Sequence, residues 1–205
     1  RFSELEEFLR TSGSDACVEM SQLVGARLIV GSSRLEKEFV ERIIRKYIYT
    51  RKELFTRTLA DEIRSRHQYD LEAETESTPN VKECRGGLRD LEMAQLIWKV
   101  MGEIRDPLGG RFWDVLAEHH PERADEFLEL KESYHFLKRL RDVYRLSVAP
   151  DDRLDPEQFG QPAEILGYED DDVSSASERL AREFRSHCDC VARRLDRLLS
   201  DVVGA

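Results

Sequence analysis

Long apolar runs are missing from this sequence, and so are signs of export. No run approaches the ~18 to 20 apolar residues that are needed to cross a bilayer, and the N-terminal residues do not resemble a signal peptide. We therefore expect a cytoplasmic protein without a membrane partner. Since the first residue is arginine rather than methionine, we also expect a piece of a longer polypeptide.

Cysteine is scarce and is not spaced like a metal site. The four cysteines stand at positions 17, 84, 188 and 190, and this arrangement indicates free thiols in a reducing compartment. A zinc site formed by His187, Cys188 and Cys190 is the alternative, which the helical pattern around them disfavours. We predict no metal ligands in this chain.

Lysine is rare as well, since only seven of the 32 cationic residues are lysines. The formal net charge of −10 makes the overall field repel phosphate, and this disfavours nonspecific nucleic-acid binding. The net charge does not exclude a local basic site. The excess of arginine reflects either genomic composition or recognition of phosphate or carboxylate groups by guanidinium groups.

Proline and glycine are few, with 6 and 11 residues, and helical periodicity fills the stretches between them. Apolar residues make up 40% and charged residues 36% of the chain, which is typical of a helix-rich globular protein. No segment shows the alternation of a strand. Amphipathic helices joined by modest loops predict an all-α antiparallel helical bundle with extra N-terminal helices. We divide the chain into an N-terminal helical section, 1–32, and a bundle domain, 33–205.

Caps and apolar spacing predict several helix boundaries. Ser14 or Asp15 would cap a helix that runs to about Val30, and Thr50 would cap another that runs to about Gln68, unless that helix continues the preceding one. A long helix after position 121 carries an apolar seam with heptad spacing. The seam consists of Phe127, Leu130, Tyr134, Leu137, Arg141, Tyr144 and Val148. The apolar side of the last helix consists of Val173, Leu180, Phe184, Val191, Leu195, Leu198 and Val202.

The stretch PNVKECRGGLRDLEMAQ, residues 79–95, combines a glycine pair and three cations with the start of an apolar helix. Glycines let a backbone or a phosphate approach closely, and free N–H groups at a helix start attract anions. The alternative is a turn that packs tightly on a neighbouring helix while its charges are solvated, and a single glycine pair does not separate the two. Asp90 would cap locally or orient an arginine. The candidate residues are Lys82, Arg85, Gly86, Gly87, Arg89 and Asp90.

Extended to PNVKECRGGLRDLEMAQLIW, this stretch resembles the helical domain of bacterial PII uridylyltransferases and a related segment of glutamine-synthetase adenylyltransferases. Two further passages agree and fall in the expected order, LVGARLIVGSSRL at 23–35 and DRLDPEQFGQPAEILGY at 152–168. The sequence departs from the pattern at Gly25, where an acidic residue is usual, and at positions 84–85 and 155–156. These departures leave open uridylyl transfer, adenylyl transfer or another target.

The resemblance implies an accessory bundle beside a nucleotidyltransferase catalytic domain of the same chain. The parent enzyme would use a nucleoside triphosphate and Mg²⁺ to modify a PII-like regulatory protein in nitrogen control. Such a catalytic domain carries a Gly-Ser turn and a strand-borne Asp-x-Asp pair that binds the metal ions, and neither Gly13-Ser14 nor the acidic run at 170–172 has that setting. We therefore expect no catalytic residue, no bound cofactor and no transfer activity in this chain alone. The six candidates at 82–90 would contact nucleotide or the catalytic domain.

For other charged residues we make separate predictions. We predict structural ion pairs for Arg27, Arg141 and Arg153, the second because a cation in an apolar seam must be paired. Arg182 and His187 match the loose spacing of HEPN-type ribonucleases, which is a rival function. The remaining alternative is a regulatory protein-binding module without a catalytic role.

Overall fold

The computed structural model describes residues 1–11, 17–73 and 78–203, and in these ranges the chain is mostly helical without a β-strand. The all-α prediction is confirmed. None of the helices described is both long and apolar enough to span a membrane. The α-helices are α1 (Phe2–Thr11), α2 (Cys17–Val24), α3 (Ser33–Phe39), α4 (Lys52–Ala73), α5 (Leu88–Met101), α6 (Phe112–His119), α7 (Ala124–Ser147), α8 (Gly160–Leu166) and α9 (Ala176–Val203).

One helical rod runs without a break from α3 through α4. Between them the backbone passes through a π-helix, Val40–Ile48, and a 3₁₀ turn, Tyr49–Arg51. Thr50 does not cap a new helix, because its hydroxyl donates to the Lys46 carbonyl oxygen at 2.7 Å, one turn back. The chain thus takes the continuous alternative, in which only the register of the backbone hydrogen bonds changes.

α4, α5, α7 and α9 form a bundle around a shared apolar core, which α6 and α8 cover from the side of α7. α7 and α9 run antiparallel. Ser133 of α7 contacts His187 of α9, whereas Arg123, just before α7, contacts Asp201 near the end of α9. α5 lies at the centre and is buried around most of its circumference, which agrees with its wide apolar arc.

Most of the predicted core positions on α7 and α9 are buried. Buried members are Phe127, Leu130, Leu137, Tyr144, Leu180, Phe184, Val191, Leu195 and Leu198. Val173 is instead 93% exposed, in the loop that precedes α9, so its assignment to the apolar side was wrong. The side chain of Val202 lies outside the described residues.

The N-terminal helices differ from the prediction at one boundary. α2 ends at Val24 rather than near Val30, because the backbone leaves helical geometry at Gly25 and stays non-helical to Ser32. The predicted caps Ser14 and Asp15 lie outside the described residues. α1 and α2 pack against the π-helix, and α2 also touches α5. The division of the chain at residue 32 stays a prediction.

Two of the three passages that carried the resemblance meet in space. Asn80 and Arg153 form an isolated antiparallel bridge. The Val81 N–H donates to the Asp152 carbonyl oxygen at 2.9 Å, and the Leu154 N–H donates to the Pro79 carbonyl oxygen at 2.9 Å. The loop after α7 therefore supports the segment that enters α5.

Candidate functional site

The entry to α5 is a compact turn built on Asn80. The Asn80 side-chain oxygen accepts from the N–H groups of Lys82 at 2.9 Å and Glu83 at 3.1 Å, and its carbonyl oxygen accepts from the Cys84 N–H at 2.8 Å. Asparagine favours such local bonds because its short amide reaches the backbone two residues on. The glycine pair, Gly86 and Gly87, follows at the end of this turn.

Gly86 allows this turn to pack closely on α9, and Gly87 allows the turn to close on itself. Gly86 has a φ of +76°, and a Cβ atom there would lie 1.9 Å from the Cys188 carbonyl oxygen. A Cβ atom on Gly87 would lie 2.7 Å from the Val81 carbonyl oxygen. At Gly86 only glycine fits both the backbone angle and the space, and at Gly87 only glycine fits the space. Gly86 thus serves close packing of the turn on α9, and Gly87 serves packing within the turn.

The N–H groups at the start of α5 are engaged within the chain. Gly86 donates to the Asp90 carboxylate at 2.7 Å, and the N–H groups that follow bond to carbonyl oxygens of the turn, namely those of Cys84, Val81, Lys82 and Gly87. This differs from the expected anion site, which requires free donors. The two glycines are also buried, and α9 occupies the space in front of Gly86. A contact of Gly86 and Gly87 with nucleotide or with another domain stays a prediction.

Asp90 is the buried centre of the site. Its side chain is 0% exposed, and its carboxylate contacts Arg66 and lies 2.7 Å from His67 Nε2. The same carboxylate accepts from the Gly86 N–H, so it joins α4, the turn and α5. A carboxylate removed from water requires such charged and hydrogen-bonding partners. Asp90 therefore holds α4, the turn and α5 together, and we call it the Asp90 pivot. Arg66 Nε, in contrast, is buried without a hydrogen-bond partner of its own.

The three cations of the turn keep partly exposed side chains. Lys82 Nζ and an Arg89 Nη atom lie 3.8 and 3.4 Å from Glu83 Oε1, and an Arg85 Nη atom lies 2.6 Å from Asp196 Oδ2. Exposed ion pairs contribute only ~0 to 1 kcal/mol, so an external anion could replace these carboxylates at small cost. A role of Lys82, Arg85 and Arg89 in contacting nucleotide or another domain stays a prediction.

The predicted structural arginines lie in different settings. Arg141 binds Asp152 through two hydrogen bonds, at 2.6 and 3.1 Å, and fastens the loop after α7 to that helix. The guanidinium holds the pKa of Asp152 below its ordinary value of 3.8. Arg153 forms the bridge to Asn80. Arg27 is exposed in the loop after α2, and its ion pairing stays a prediction.

A second surface feature lies near the end of α5, where a groove of about 770 Å³ opens between the loop after α2, the rod and α5. Leu35 lines this groove and is 48% exposed, and next to it along the chain Ile29 and Val30 are 81% and 89% exposed. Lys99 reaches the groove from α5, donates to the Asp106 carbonyl oxygen and is otherwise buried. That burial lowers the pKa of Lys99.

The groove and the glycine turn lie at opposite ends of α5. Leu88 begins the helix beside the turn, and Lys99 stands three turns later. At a rise of ~1.5 Å per residue, roughly 16 Å separates them along the axis. The two features are therefore separate surfaces. The predicted nucleotide- or domain-contacting residues all lie in the turn, whereas the passage at 23–35, which carried part of the resemblance, contributes to the lining of the groove.

The rival ribonuclease pair does not converge. Arg182 donates to the Ser174 hydroxyl at 2.8 Å, whereas His187 Nδ1 lies 3.0 Å from the Ser133 hydroxyl and its ring stacks on Phe136. Burial lowers the pKa of His187, as expected for a histidine in a packed interface. Residues five apart on a helix point in different directions, and so the pair forms no shared site.

Sequence reasoning missed Arg66, His67 and Lys99. The first two are polar residues on α4, a helix with many exposed charges, and nothing local shows that both meet Asp90, 24 and 23 residues away. Lys99 stands in an apolar helix, which was a usable signal, because a cation there needs a partner. Within the described ranges, no three His, Cys, Asp or Glu side chains cluster as metal ligands would.

Comparison with known proteins gives a consistent result. A family model described as GlnD PII-uridylyltransferase matches residues 54–199, which run from α4 to α9. Proteins named bifunctional uridylyltransferase/uridylyl-removing enzyme are similar to this chain. That of Nitrosococcus oceani is 29% identical over 181 residues, covering 88% of this chain and 20% of the relative. Those of Burkholderia lata and Burkholderia mallei are each 33% identical over 183 residues, covering 86% and 88% of this chain and 20% of each relative. The chain thus spans about a fifth of these relatives' length.

Proposed function

The chain belongs to the PII-uridylyltransferase family, and from that premise we propose that it is the helical accessory domain of a protein nucleotidyltransferase. The bundle helps to form the cleft for nucleotide and protein substrate beside a catalytic domain of the same polypeptide. The parent enzyme transfers a uridylyl group to a PII-like regulatory protein in nitrogen control in the cytoplasm. The observation that carries this proposal is the family match, which covers the Asp90 pivot and all four bundle helices.

Catalysis itself is assigned to a part of the parent outside these 205 residues. A nucleotidyltransferase needs carboxylates that hold Mg²⁺ against the triphosphate, where the metal neutralises developing charge. The residues described here do not fit that requirement, since they contain no cluster of three metal-ligating side chains. We therefore assign to the bundle the binding and positioning of the nucleotide and of the protein substrate.

The groove beside α5 is the surface that we assign to the catalytic domain. Exposed apolar side chains on a globular protein mark places where another protein surface packs. Leu35 lines the groove, and Ile29 and Val30 are exposed in the loop whose residues Gly25 to Leu28 also line it. The covering surface belongs to the same polypeptide, because the matched relatives are about five times as long as this chain. Their name includes uridylyl transfer, so a catalytic domain is among the parts that such a length supplies.

The cations at the other end of α5 are assigned to an anionic partner. Lys82, Arg85 and Arg89 project from a turn that Asp90 and α9 hold rigidly. A rigid support lowers the entropic cost of binding. Nucleotide phosphate or an acidic surface of the substrate protein would displace Glu83 and Asp196 from them.

Hydrogen exchange tests the assignment of the groove directly. The backbone of residues 25–35 is compared in the isolated chain and in a longer polypeptide that includes the nucleotidyltransferase domain. We expect slower exchange in the longer protein, with unchanged exchange in α8 as the internal control. Equal exchange in both proteins would contradict the groove assignment.

A second measurement tests the function. Uridylyl transfer to a PII-like protein is followed with the longer polypeptide and with the isolated chain, and nucleotide-induced changes in exchange are recorded for both. We expect transfer, and a response at residues 82–89, only in the longer protein. Normal transfer by a longer protein from which the bundle has been removed would instead favour a purely regulatory binding module.

A further inference from the structure

Two cysteines meet where the glycine turn packs on α9. Cys84 lies in the turn and packs half-buried against the core, and Cys188 is buried on α9. The turn and α9 are in very close contact at this point, because a Cβ atom placed on Gly86 would lie 2.9 Å from the Cys188 Cα. Cys84 lies two residues before Gly86, so both cysteines stand beside this contact, in or against the same apolar core. Both are free thiols in this structure.

We propose that Cys84 and Cys188 are a modification site, at which a small-molecule disulfide oxidises them to an intramolecular disulfide that links the glycine turn to α9. This inference goes beyond the proposed function and does not depend on it. Cys190 differs from both, because it lies two residues along α9, partly exposed beside Glu129. The proposed pairing is thus specific to the two thiols beside the contact between Gly86 and Cys188.

The exchange reaction proceeds in two balanced steps. The Cys84 sulfur, which is the more exposed, attacks the S–S bond of the reagent as a thiolate, forms a mixed disulfide and releases one thiol. The Cys188 sulfur then attacks the Cys84 sulfur, so that the protein S–S bond forms and the mixed S–S bond breaks, releasing the second thiol. The two protons that the cysteines lose appear on the released thiols, and the reagent gains the two electrons that the protein loses.

The order of the steps follows from the surroundings of the two sulfurs. The neighbouring Cys84 thiol, and then burial, raise the pKa of Cys188, which keeps that thiol protonated at neutral pH. A buried, protonated thiol reacts slowly with a reagent in solution. Cys84 therefore reacts first, and proximity allows Cys188 to resolve the mixed disulfide.

The new bond would constrain the unfolded chain over a long loop. A disulfide that closes a loop of this size stabilises mainly by lowering the entropy of the unfolded state. For a chain of this length we expect the melting temperature to rise by about 5 to 15 °C. The glycine turn and the cations beside it would then be fixed to α9.

The experiment incubates the folded 205-residue chain with oxidised glutathione and maps the peptides without reduction. We expect one cross-linked pair, Cys84 with Cys188, which dithiothreitol removes. A variant with C17S and C190S keeps only the two proposed thiols and should give the same cross-link and the same rise in melting temperature. The variant with C84S and C188S should give neither.

Other outcomes would overturn the proposal. A stable glutathione adduct on Cys84 without the cross-link would show that Cys188 cannot reach it. A cross-link that involves Cys190 or Cys17 instead would show that the wrong pair was chosen. Failure of both sulfurs to react in the folded chain, while urea-unfolded chain reacts, would show that the contact is only structural. Because the mapping is done on the unaltered sequence, poor folding of a variant does not obscure the result.

Discussion

His67 on α4 and Asp90 on α5 lie 2.7 Å apart, between His67 Nε2 and a carboxylate oxygen that is wholly removed from solvent. This contact joins the C-terminal part of the rod to the first turn of the central helix. Since the same carboxylate receives the Gly86 N–H, it also determines the position of the glycine turn against α9. The glycine turn, which first suggested a ligand site, is thereby part of the bundle's internal support.

Removing the Asp90 carboxylate should destabilise the chain strongly. In Asp90→Ala the Arg66 charge and the Gly86 N–H lose their buried partner, and breaking such a pair costs about 3 to 5 kcal/mol. Urea denaturation measures the free energy of unfolding. Asp61→Ala, which removes the exposed partner of Arg64, is the matched control and should cost less than about 1 kcal/mol. Equal effects of the two substitutions would contradict the pivot role.

Gly86→Ala should cost more than the same change at Gly167. Both glycines have similar backbone angles, with φ of +76° and +87°, but an added Cβ meets the Cys188 carbonyl oxygen in the first case and open space in the second. Gly167→Ala should therefore cost only the backbone strain, about 1 to 2 kcal/mol. Gly86→Ala adds displacement of α9, and we expect at least about 2 kcal/mol more. Thermal unfolding of both variants checks this, and equal losses would refute it.

The Arg141–Asp152 pair should make stability depend on pH in the acid range. Because the pKa of Asp152 is lower in the folded state, its stabilisation is complete above the ordinary value of 3.8 and is lost as pH falls through the folded value. Arg141→Met should therefore lower stability by about 1 to 2 kcal/mol at neutral pH. The difference from the unaltered chain should shrink towards about pH 2.

Urea midpoints measured from neutral pH to about pH 2 would show this convergence. Arg145→Met is the matched control, because Arg145 lies 3.6 Å from the same carboxylate and is more exposed. We expect a smaller effect for it. A difference between Arg141→Met and the unaltered chain that stays constant over the whole range would show that lost packing, and not the ion pair, explains the destabilisation.

Polar substitutions beside the groove should affect the longer enzyme and not the bundle. Ile29→Ser with Val30→Ser removes two exposed apolar side chains, so the free energy of unfolding of the isolated chain should change by less than about 0.5 kcal/mol. In the longer polypeptide the catalytic domain would lose its apolar contact, and we expect a lower midpoint of thermal inactivation. Leu146→Ser, at an equally exposed position on α7 (89%), should leave that midpoint unchanged.

Removing two of the turn cations should reduce transfer without unfolding the bundle. Lys82→Ala with Arg89→Ala removes partly exposed pairs with Glu83 and Glu92, so stability should fall by about 1 kcal/mol or less. We expect uridylyl transfer by the longer enzyme to fall about tenfold or more, since each lost charge-assisted contact is worth about 1.5 kcal/mol or more. The control is Arg64→Ala. Unchanged transfer kinetics would remove these cations from the substrate surface.

Much of the fold can be predicted from local sequence patterns. The apolar spacing in α7 and α9 placed Phe127, Leu137, Leu180 and Leu195 in the core, because helical periodicity directly determines which side chains share a face. Boundaries were less well determined. Thr50 reads as a cap, yet the rod continues through it by changing the register of its hydrogen bonds, a change that has no clear sequence signal.

The sequence by itself determined an all-α chain, a glycine turn before the central helix and membership in a nucleotidyltransferase family, since these depend on periodicity and on contiguous motifs. Only the tertiary structure decided what the turn does. The N–H groups of the turn bond to its own carbonyl oxygens and to Asp90. α9 fills the space beside Gly86, and the Asp90 carboxylate is engaged by Arg66 and His67. Partners that are far apart along the chain carry no local signal, because burial and charge pairing depend on how the helices pack together.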